Sequence, residues 1–191
     1  MLRELPTSDL PPARLGRGAV IWLTGLSGSG KSTLAQAAAQ RLRRGDRACV
    51  VLDGDLLREG LCNDLGFSPK DRAENSRRVG EVAALFAAEG LVALCALISP
   101  DAAGRDQARA ATARQLPAPP FFEVFVDAPL ATCEARDVKG LYAKARAGEL
   151  AMFTGVDAPY EAPQAPELHL RTDREDPRRC VEALLALLAP R

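Results

Sequence analysis

From residue 19 onward, short apolar runs alternate with longer stretches of helical character. The apolar runs have the length of strands and lie at 19–24, 48–52, 91–98, 121–126 and 168–171. The intervening stretches, Ala-rich or with an apolar stripe at helical spacing, lie at 32–44, 70–89, 101–115, 130–136 and 177–188. The first run is nearly all apolar, as expected of a strand buried on both faces. The alternation predicts an α/β fold whose parallel sheet is covered by helices on both faces.

Two segments fall outside this alternation. Residues 1–18 contain three prolines and two glycines without a sustained period, which predicts a flexible leader before a single domain over 19–191. Residues 137–165 are polar and poorly periodic apart from 142–150. An irregular segment of this length inside a domain is more often a functional lid than a plain connection. We therefore predict a mobile lid over about 137–165.

Charge and composition narrow the class of protein. The 25 Lys and Arg residues balance 25 Asp and Glu residues, so a nucleic-acid partner is disfavoured. The longest apolar runs are well short of the ~20 residues that cross a bilayer, so no membrane association is expected. The five cysteines contain no CxxC pair, which favours reduced core thiols and a cytoplasmic protein. Only four of the 25 cations are lysines, and arginine suits bidentate recognition of phosphate or sulfate.

The stretch after the first apolar run reads GLSGSGKS and matches the phosphate-loop pattern G-x-x-x-x-G-K-[ST]. Its place between a predicted strand and a predicted helix is the context that the pattern requires. Backbone N–H groups of such a loop bind phosphates, Lys31 can reach the β- and γ-phosphates, and Ser32 can ligate Mg²⁺. We expect ATP to be bound by Gly25, Leu26, Ser27, Gly28, Ser29, Gly30, Lys31, Ser32 and Thr33. The Asn-Lys-x-Asp stretch typical of guanine recognition is absent from the sequence, which favours a small-metabolite kinase using ATP.

Asp53-Gly54-Asp55 follows the second apolar run and should lie beside the phosphate loop at the sheet edge. A kinase needs a carboxylate that orients or deprotonates the acceptor hydroxyl or holds a metal-bound water. Asp53 is the candidate for that role and for the metal site, with Asp55 as a second acceptor-site residue. The alternative for Asp55 is a helix N-cap, because Asp is favoured at that position.

A set of arginines and an asparagine follows. Arg72, Asn75 and Arg78 are spaced at i, i+3 and i+6 of a predicted helix, and Arg58 lies upstream. Together they could bind an anionic acceptor. The alternative is a solvated helix face paired with Glu74 and Glu81.

Four stretches give the chain a likeness to a known family. GLSGSGKST at 25–33, DRAENSRR at 71–78, KGLYAKAR at 139–146 and FTGVDAPYEAP at 153–163 resemble adenylyl-sulfate kinases. The resemblance implies a three-layer P-loop kinase fold. It also implies transfer of the γ-phosphoryl group of ATP, with Mg²⁺, to the 3′-hydroxyl of adenylyl sulfate, giving 3′-phosphoadenylyl sulfate and ADP.

The resemblance also assigns roles to individual residues. It places Asp53 and Lys31 in catalysis and lets Arg58, Arg72 and Asn75 hold the phosphosulfate of the acceptor. Phe67 and Phe153 would flank its adenine, and Lys139 would contact substrate from the lid. Ser99 matches a serine that has been assigned in the family as a phosphoserine intermediate, and the alternative for it is a strand-end cap. Asp101-Ala102 stands where the family usually has Tyr-Arg.

Two other functions remain open at this stage. One is a kinase for a different acceptor, such as a nucleoside or sugar acid. The other is a non-catalytic nucleotide-binding domain that regulates a sulfurylase. Because dimers are common in the family that the chain resembles, we expect a homodimer, and we also expect a functional link to an ATP sulfurylase.

Overall fold

The structure is a computed structural model and describes residues 16–189. Most of the predicted leader and the last two residues of the predicted domain lie outside this range. The strands are β1 Ala19–Thr24, β2 Cys49–Asp53, β3 Val92–Ala96, β4 Phe121–Asp127 and β5 Leu168–Arg171. The helices are α1 Lys31–Arg44, α2 Gly54–Glu59, α3 Pro69–Ala88, α4 Ala102–Ala113, α5 Leu130–Arg136, α6 Leu141–Arg146 and α7 Pro177–Ala186.

The five strands form one parallel sheet in the order β2-β3-β1-β4-β5. Every residue of the central strand β1 is buried. Ile21 and Leu23 pack with α1 and α7 on one face, whereas Val20 and Trp22 pack with α3 and α4 on the other. The sheet therefore lies between two helical layers, and the predicted three-layer α/β architecture is confirmed.

Helix α2 does not appear among the helical stretches predicted from the pattern and was anticipated only by the alternative interpretation of Asp55 as a helix N-cap. It begins directly after β2, and its N-cap is Asp53, whose Oδ1 accepts a hydrogen bond of 3.0 Å from the backbone N–H of Asp55. The interpretation of Asp55 as the cap is therefore wrong, because β2 extends one residue further than its apolar run. As a result the Asp53 side chain is placed at the junction of β2 and α2.

The predicted lid contains a shorter helix than expected. Helix α6 ends at Arg146, and an isolated bridge joins Thr154 to Ala158. The chain that connects α6 to this bridge is held by the Asp157 carboxylate, which accepts hydrogen bonds of 2.7 and 2.5 Å from the backbone N–H groups of Met152 and Phe153. The segment also packs around a small apolar cluster of Ala128, Cys133, Tyr142 and Phe153. The lid therefore has ordered local structure, and its mobility stays a prediction.

Two further observations bear on the sequence expectations. All five cysteines are unpaired, and all but Cys49 are buried. Burial raises the pKa of each thiol, that of Cys95 most clearly. Across residues 16–189, none of the helices combines the length and the apolar character needed to span a membrane.

Candidate active site

A cleft of about 1120 Å³ lies at the carboxyl edge of the sheet, where β1, β2 and β3 end. It brings together most of the residues that the sequence singled out. Those lining it are Ser27, Gly28, Gly30, Lys31, Ser32, Thr33, Asp53, Asp55, Arg58, Phe67, Arg72, Asn75, Ser99, Lys139 and Phe153. Gly25, Leu26 and Ser29 belong to the same loop but do not line the cleft.

The phosphate loop connects β1 to α1. Gly28 and Gly30 adopt φ angles of +74° and +103°, a region that favours glycine. A Cβ atom on Gly28 would lie only 2.9 Å from the carbonyl oxygen of Cys133, so this position also lacks room for a side chain. The loop is thus held by both its backbone conformation and its packing against α5.

Lys31 lies buried beneath the loop. Its Nζ donates hydrogen bonds of 3.0 and 2.7 Å to the carbonyl oxygens of Gly25 and Leu26. Burial lowers the pKa of Lys31 from 10.5 to about 8, against the opposing influence of Cys133, Asp55 and Asp53. The ammonium is therefore poorly solvated, and a nearby phosphate would favour its charged form.

Ser32 and Asp53 meet across the ends of α1 and β2. The Ser32 hydroxyl donates a hydrogen bond of 2.6 Å to Oδ2 of Asp53. A hydroxyl and a carboxylate oxygen at this separation fit Mg²⁺, which takes oxygen ligands and commonly binds one or two protein groups plus substrate phosphates. The pair lies at the mouth of the phosphate loop, where a metal could serve both sides of the cleft.

Arg58 and Arg72 lie around the ring of Phe67. Their guanidinium carbons are 4.4 and 5.7 Å from its centroid, and the ring is 48% exposed. Arg58 Nη1 donates to the carbonyl oxygens of Leu65 and Gly66 at 3.0 and 2.9 Å. Burial lowers the pKa of Arg72, and the positive charge of Arg58 lowers it further. Two cations held this close favour a ligand with more than one negative charge.

Asn75 lies one turn beyond Arg72 on α3. It is buried, and its Oδ1 has no hydrogen-bond partner in the described part of the chain. A buried unpaired amide oxygen is costly, so a bound group that donates to it would be favoured.

Arg78 does not join this group. Arg78 is six residues after Arg72 on α3, which places it about 240° further around the helix axis once one full turn is subtracted. The two side chains therefore lie on different faces of the helix. Arg78 instead donates to Asp64 and Glu74 at 2.6 and 2.9 Å, and Arg77 donates to Glu74 at 2.7 Å. These hydrogen bonds lower the pKa of Glu74 to about 2. The alternative of a paired helix face is therefore right for Arg78 as far as Glu74 is concerned, whereas Glu81 pairs with Arg114.

The lid contacts the site at three points. Lys139 forms an ion pair with Asp55. Phe153 is buried and packs edge-to-face on Tyr142, with ring centroids 5.0 Å apart, while the Tyr142 hydroxyl donates to the Ser27 carbonyl at 3.0 Å. Arg72 Nη2 donates a hydrogen bond of 2.6 Å to the carbonyl oxygen of Met152. The lid therefore touches both the phosphate loop and the arginine pair.

Ser99 follows β3 and is almost fully buried. Its hydroxyl oxygen accepts a hydrogen bond of 3.1 Å from Nε1 of Trp22. The cap of the next helix, α4, is Asp101, whose Oδ1 accepts the backbone N–H of Gly104 at 2.7 Å. The Glu161 carboxylate accepts the neighbouring backbone N–H of Ala102 at 2.9 Å. Ser99 therefore has a structural contact with the central strand at the end of β3, in keeping with the strand-end alternative, while the cap of α4 is a different residue.

Two residues on the far side of the phosphate loop were not predicted from the sequence. Arg136 donates to the carbonyl oxygens of Gly28 and Thr172 at 3.2 and 2.8 Å, and the Thr172 hydroxyl donates to the Ser29 carbonyl at 2.7 Å. Neither residue belongs to a short motif that carries its own chemistry. The available signal was topological, because Thr172 follows β5 at the same sheet edge as the other site residues.

Comparisons with known proteins agree with this arrangement. A family model described as adenylylsulphate kinase matches residues 17–171. An adenylyl-sulfate kinase from Paraburkholderia xenovorans is 56% identical over 172 residues, covering 90% of this chain and 93% of that protein. The bifunctional enzyme NodQ of Azospirillum brasilense is 54% identical over 188 residues, 97% of this chain but 30% of NodQ.

A solved structure gives the same result. The Mycobacterium tuberculosis APS kinase CysC, in complex with AMPPNP and APS, is 49% identical and superposes with a TM-score of 0.86. The match covers 91% of this chain and 99% of that one. This likeness confirms the P-loop kinase fold, and together with the family model it shows that the chain belongs to the adenylylsulphate kinase family.

Proposed function

We propose that this protein transfers the γ-phosphoryl group of ATP to the 3′-hydroxyl of adenylyl sulfate. The observation that carries the proposal is one cleft in which Asp53 lies between two different anion-binding groups. On one side is the phosphate loop with Lys31, and on the other are Arg58 and Arg72 around Phe67. Such an arrangement suits a nucleoside triphosphate donor and a second, anionic nucleotide acceptor.

ATP occupies the phosphate-loop side in this proposal. The loop N–H groups and Lys31 bind the phosphates, and the base lies toward Arg136 and Thr172. When bound with the nucleotide at Ser32 and Asp53, Mg²⁺ would neutralise charge on the phosphates. The buried ammonium of Lys31 stabilises the charge that develops on the transferring group.

The acceptor occupies the other side. Arg58, Arg72 and Asn75 bind its phosphosulfate, Phe67 and Phe153 contact its adenine, and Lys139 and Asp55 approach it from the lid and α2. Asp53 orients the 3′-hydroxyl and accepts its proton. As the new oxygen–phosphorus bond forms, the bond from the γ-phosphorus to the bridging oxygen breaks, and ADP leaves.

Ser99 offers a two-step route that stays a proposal. In that route the phosphoryl group would pass to the Ser99 hydroxyl and then to the acceptor. Incubation with ATP and Mg²⁺ alone, followed by intact-mass measurement, decides it. A gain of one phosphoryl group that adenylyl sulfate removes supports the two-step route, and an unchanged mass supports direct transfer.

The proposal also covers partners and location. We expect a homodimer, a functional link to an ATP sulfurylase and a cytoplasmic location. The match to part of a bifunctional relative supports a link with a second activity, and the unpaired cysteines are consistent with a reducing compartment. Light scattering at several protein concentrations tests the dimer.

The deciding experiment measures ADP release with and without micromolar adenylyl sulfate and resolves the nucleotide products. Acceptor-dependent ADP matched by 3′-phosphoadenylyl sulfate is the expected result. Turnover with a nucleoside or sugar acid but not with adenylyl sulfate would overturn the acceptor assignment. Binding of both ligands without turnover would instead indicate a regulatory domain.

A further inference from the structure

A buried charged network reaches the backbone of Ser99 from behind the acceptor side of the cleft. Arg105 on α4 is 3% exposed. Its Nε donates a hydrogen bond of 2.6 Å to Glu123 on β4, and its Nη1 donates one of 2.9 Å to the carbonyl oxygen of Ser99. A guanidinium whose separate N–H groups bind a carboxylate and a carbonyl fixes the distance between them.

Ser99 needs such support because of its backbone conformation. Its φ is +43°, a region that non-glycine residues rarely adopt and that surrounding contacts must maintain. The Thr24 hydroxyl lies 2.7 Å from the Ile98 carbonyl oxygen and 3.2 Å from the Ser99 carbonyl oxygen, and its single proton is donated to the nearer of the two. The Ser99 carbonyl therefore depends on Arg105, while the Ser99 hydroxyl is held by Trp22.

The turn at Ser99 leads into α4, which packs closely on α3, the helix that carries Arg72 and Asn75: a Cβ atom on Gly80 would lie 2.8 Å from the Cα of Ala108. Ser99 follows β3, which lies between β2, carrying Asp53, and β1, carrying the phosphate loop. Arg136 is the last residue of α5, which follows β4, and Thr172 directly follows β5. Both strands lie on the other side of β1 from β3. A displacement of the Ser99 turn would therefore be passed through α4 to the acceptor residues on α3.

We propose that Arg105 is a positioning residue for the acceptor, acting through the Ser99 turn, and that Trp22 reports the state of that turn. The inference rests on the proposed function for the identity of the acceptor. Arg105 itself does not touch the reacting groups, because its side chain is directed to Glu123 and to the Ser99 carbonyl. Its loss should weaken acceptor binding while leaving ATP binding in place.

The helix supplies a matched control. Arg109 lies one turn further along α4 and binds Glu167 at 2.7 Å, with Glu123 Oε2 at 3.8 Å, but does not contact Ser99. Arg105→Lys and Arg109→Lys thus make the same chemical change within one ion-pair network. Trp22 is the only tryptophan, so its emission is free of other contributions. Ser99→Ala, which removes the partner of the indole N–H, provides the reference spectrum for a released Trp22.

The experiment titrates adenylyl sulfate and, separately, ATP·Mg²⁺ by calorimetry and records emission spectra of all variants. Arg105→Lys should raise the Kd for adenylyl sulfate by about tenfold or more, leave that for ATP within about twofold, and shift emission toward that of Ser99→Ala. Arg109→Lys should leave both Kd values within about twofold. Equal acceptor Kd and equal spectra for the two variants would overturn the proposal.

A second variant tests the proposal in case Arg105→Lys does not fold. If Arg105→Lys fails to fold, Glu123→Gln keeps the side-chain shape but removes the charge that holds Arg105, and the same two readouts decide. If the wild-type protein does not bind adenylyl sulfate, the proposed function fails. The emission comparison then still determines whether Arg105 holds the Ser99 turn.

Discussion

The Ser32 hydroxyl and the Asp53 carboxylate are 2.6 Å apart, although they are 21 positions apart in the chain. One belongs to the phosphate loop and its helix, and the other ends the edge strand β2. This contact joins the donor half of the cleft to the acceptor half. It is the structural reason for assigning Asp53 a role in the transfer itself.

Asp53→Asn should lower kcat by about 10²–10⁴-fold, because the amide cannot accept the proton of the acceptor hydroxyl. The amide oxygen can still accept from Asp55, so the cap of α2 is kept. Steady-state kinetics together with ATP calorimetry measure the effect. Asp106→Asn, at an exposed position of α4, is the control, and near-normal turnover of Asp53→Asn would exclude Asp53 as the proton acceptor.

Lys31 gives the site a pH dependence. Its pKa of about 8 in the folded protein means that nucleotide binding above pH 8 should take up a proton, because bound phosphate stabilises the ammonium. ATP affinity should fall by up to about tenfold per pH unit above this value. Calorimetry in buffers of different ionisation enthalpy at pH 8.5 should show proton uptake. Equal apparent enthalpies in all buffers would contradict the assignment.

The lowered pKa of Lys31 also makes the stability of the folded protein depend on pH. Between pH 8 and 10.5 the unfolded chain holds more protons at Lys31 than the folded chain does, so this residue's contribution to stability rises with pH there. Denaturant unfolding of the wild type and of Lys31→Met across that range should show the increase only in the wild type. Parallel curves for the two proteins would show that Lys31 does not titrate in this range.

Arg72→Gln should raise the KM for adenylyl sulfate by about 10–100-fold, since hydrogen bonds between charged groups contribute about 1.5–3 kcal/mol. The KM for ATP should stay close to that of the wild type. Arg77→Gln is the matched control on the same helix, because its ion pair with Glu74 is exposed and contributes little. A similar acceptor KM for both variants would remove Arg72 from the acceptor site.

Arg136→Gln should have the opposite selectivity and raise the KM for ATP by about tenfold. Its guanidinium bridges the phosphate loop and Thr172, which follows β5, at the other end of the sheet from β2 and Asp53. Arg146→Gln, whose exposed ion pair is with Glu134, serves as the control. If the acceptor KM rises instead, the two halves of the cleft are assigned the wrong way round.

The fold and the phosphate loop could be predicted from the sequence because both depend on local patterns. Apolar runs mark the strands, and the glycine spacing marks the loop. The capping role of Asp53 could not be read this way, since it depends on where β2 ends. Arg78 was misplaced because spacing alone ignores helical drift, and Arg136 was missed because its partners are 36 and 108 residues away in sequence.

The hydrogen bond between Arg72 and the Met152 carbonyl has a kinetic consequence. Met152 has a φ of +58°, a conformation that its backbone disfavours, and in the proposed function the acceptor has to displace the Met152 carbonyl to reach the guanidinium. Association of adenylyl sulfate then includes an opening step whose rate does not depend on ligand concentration. In stopped-flow mixing, the observed rate for the acceptor should level off as its concentration rises. The frequency of lid opening thereby sets an upper limit on how fast the acceptor enters the cleft.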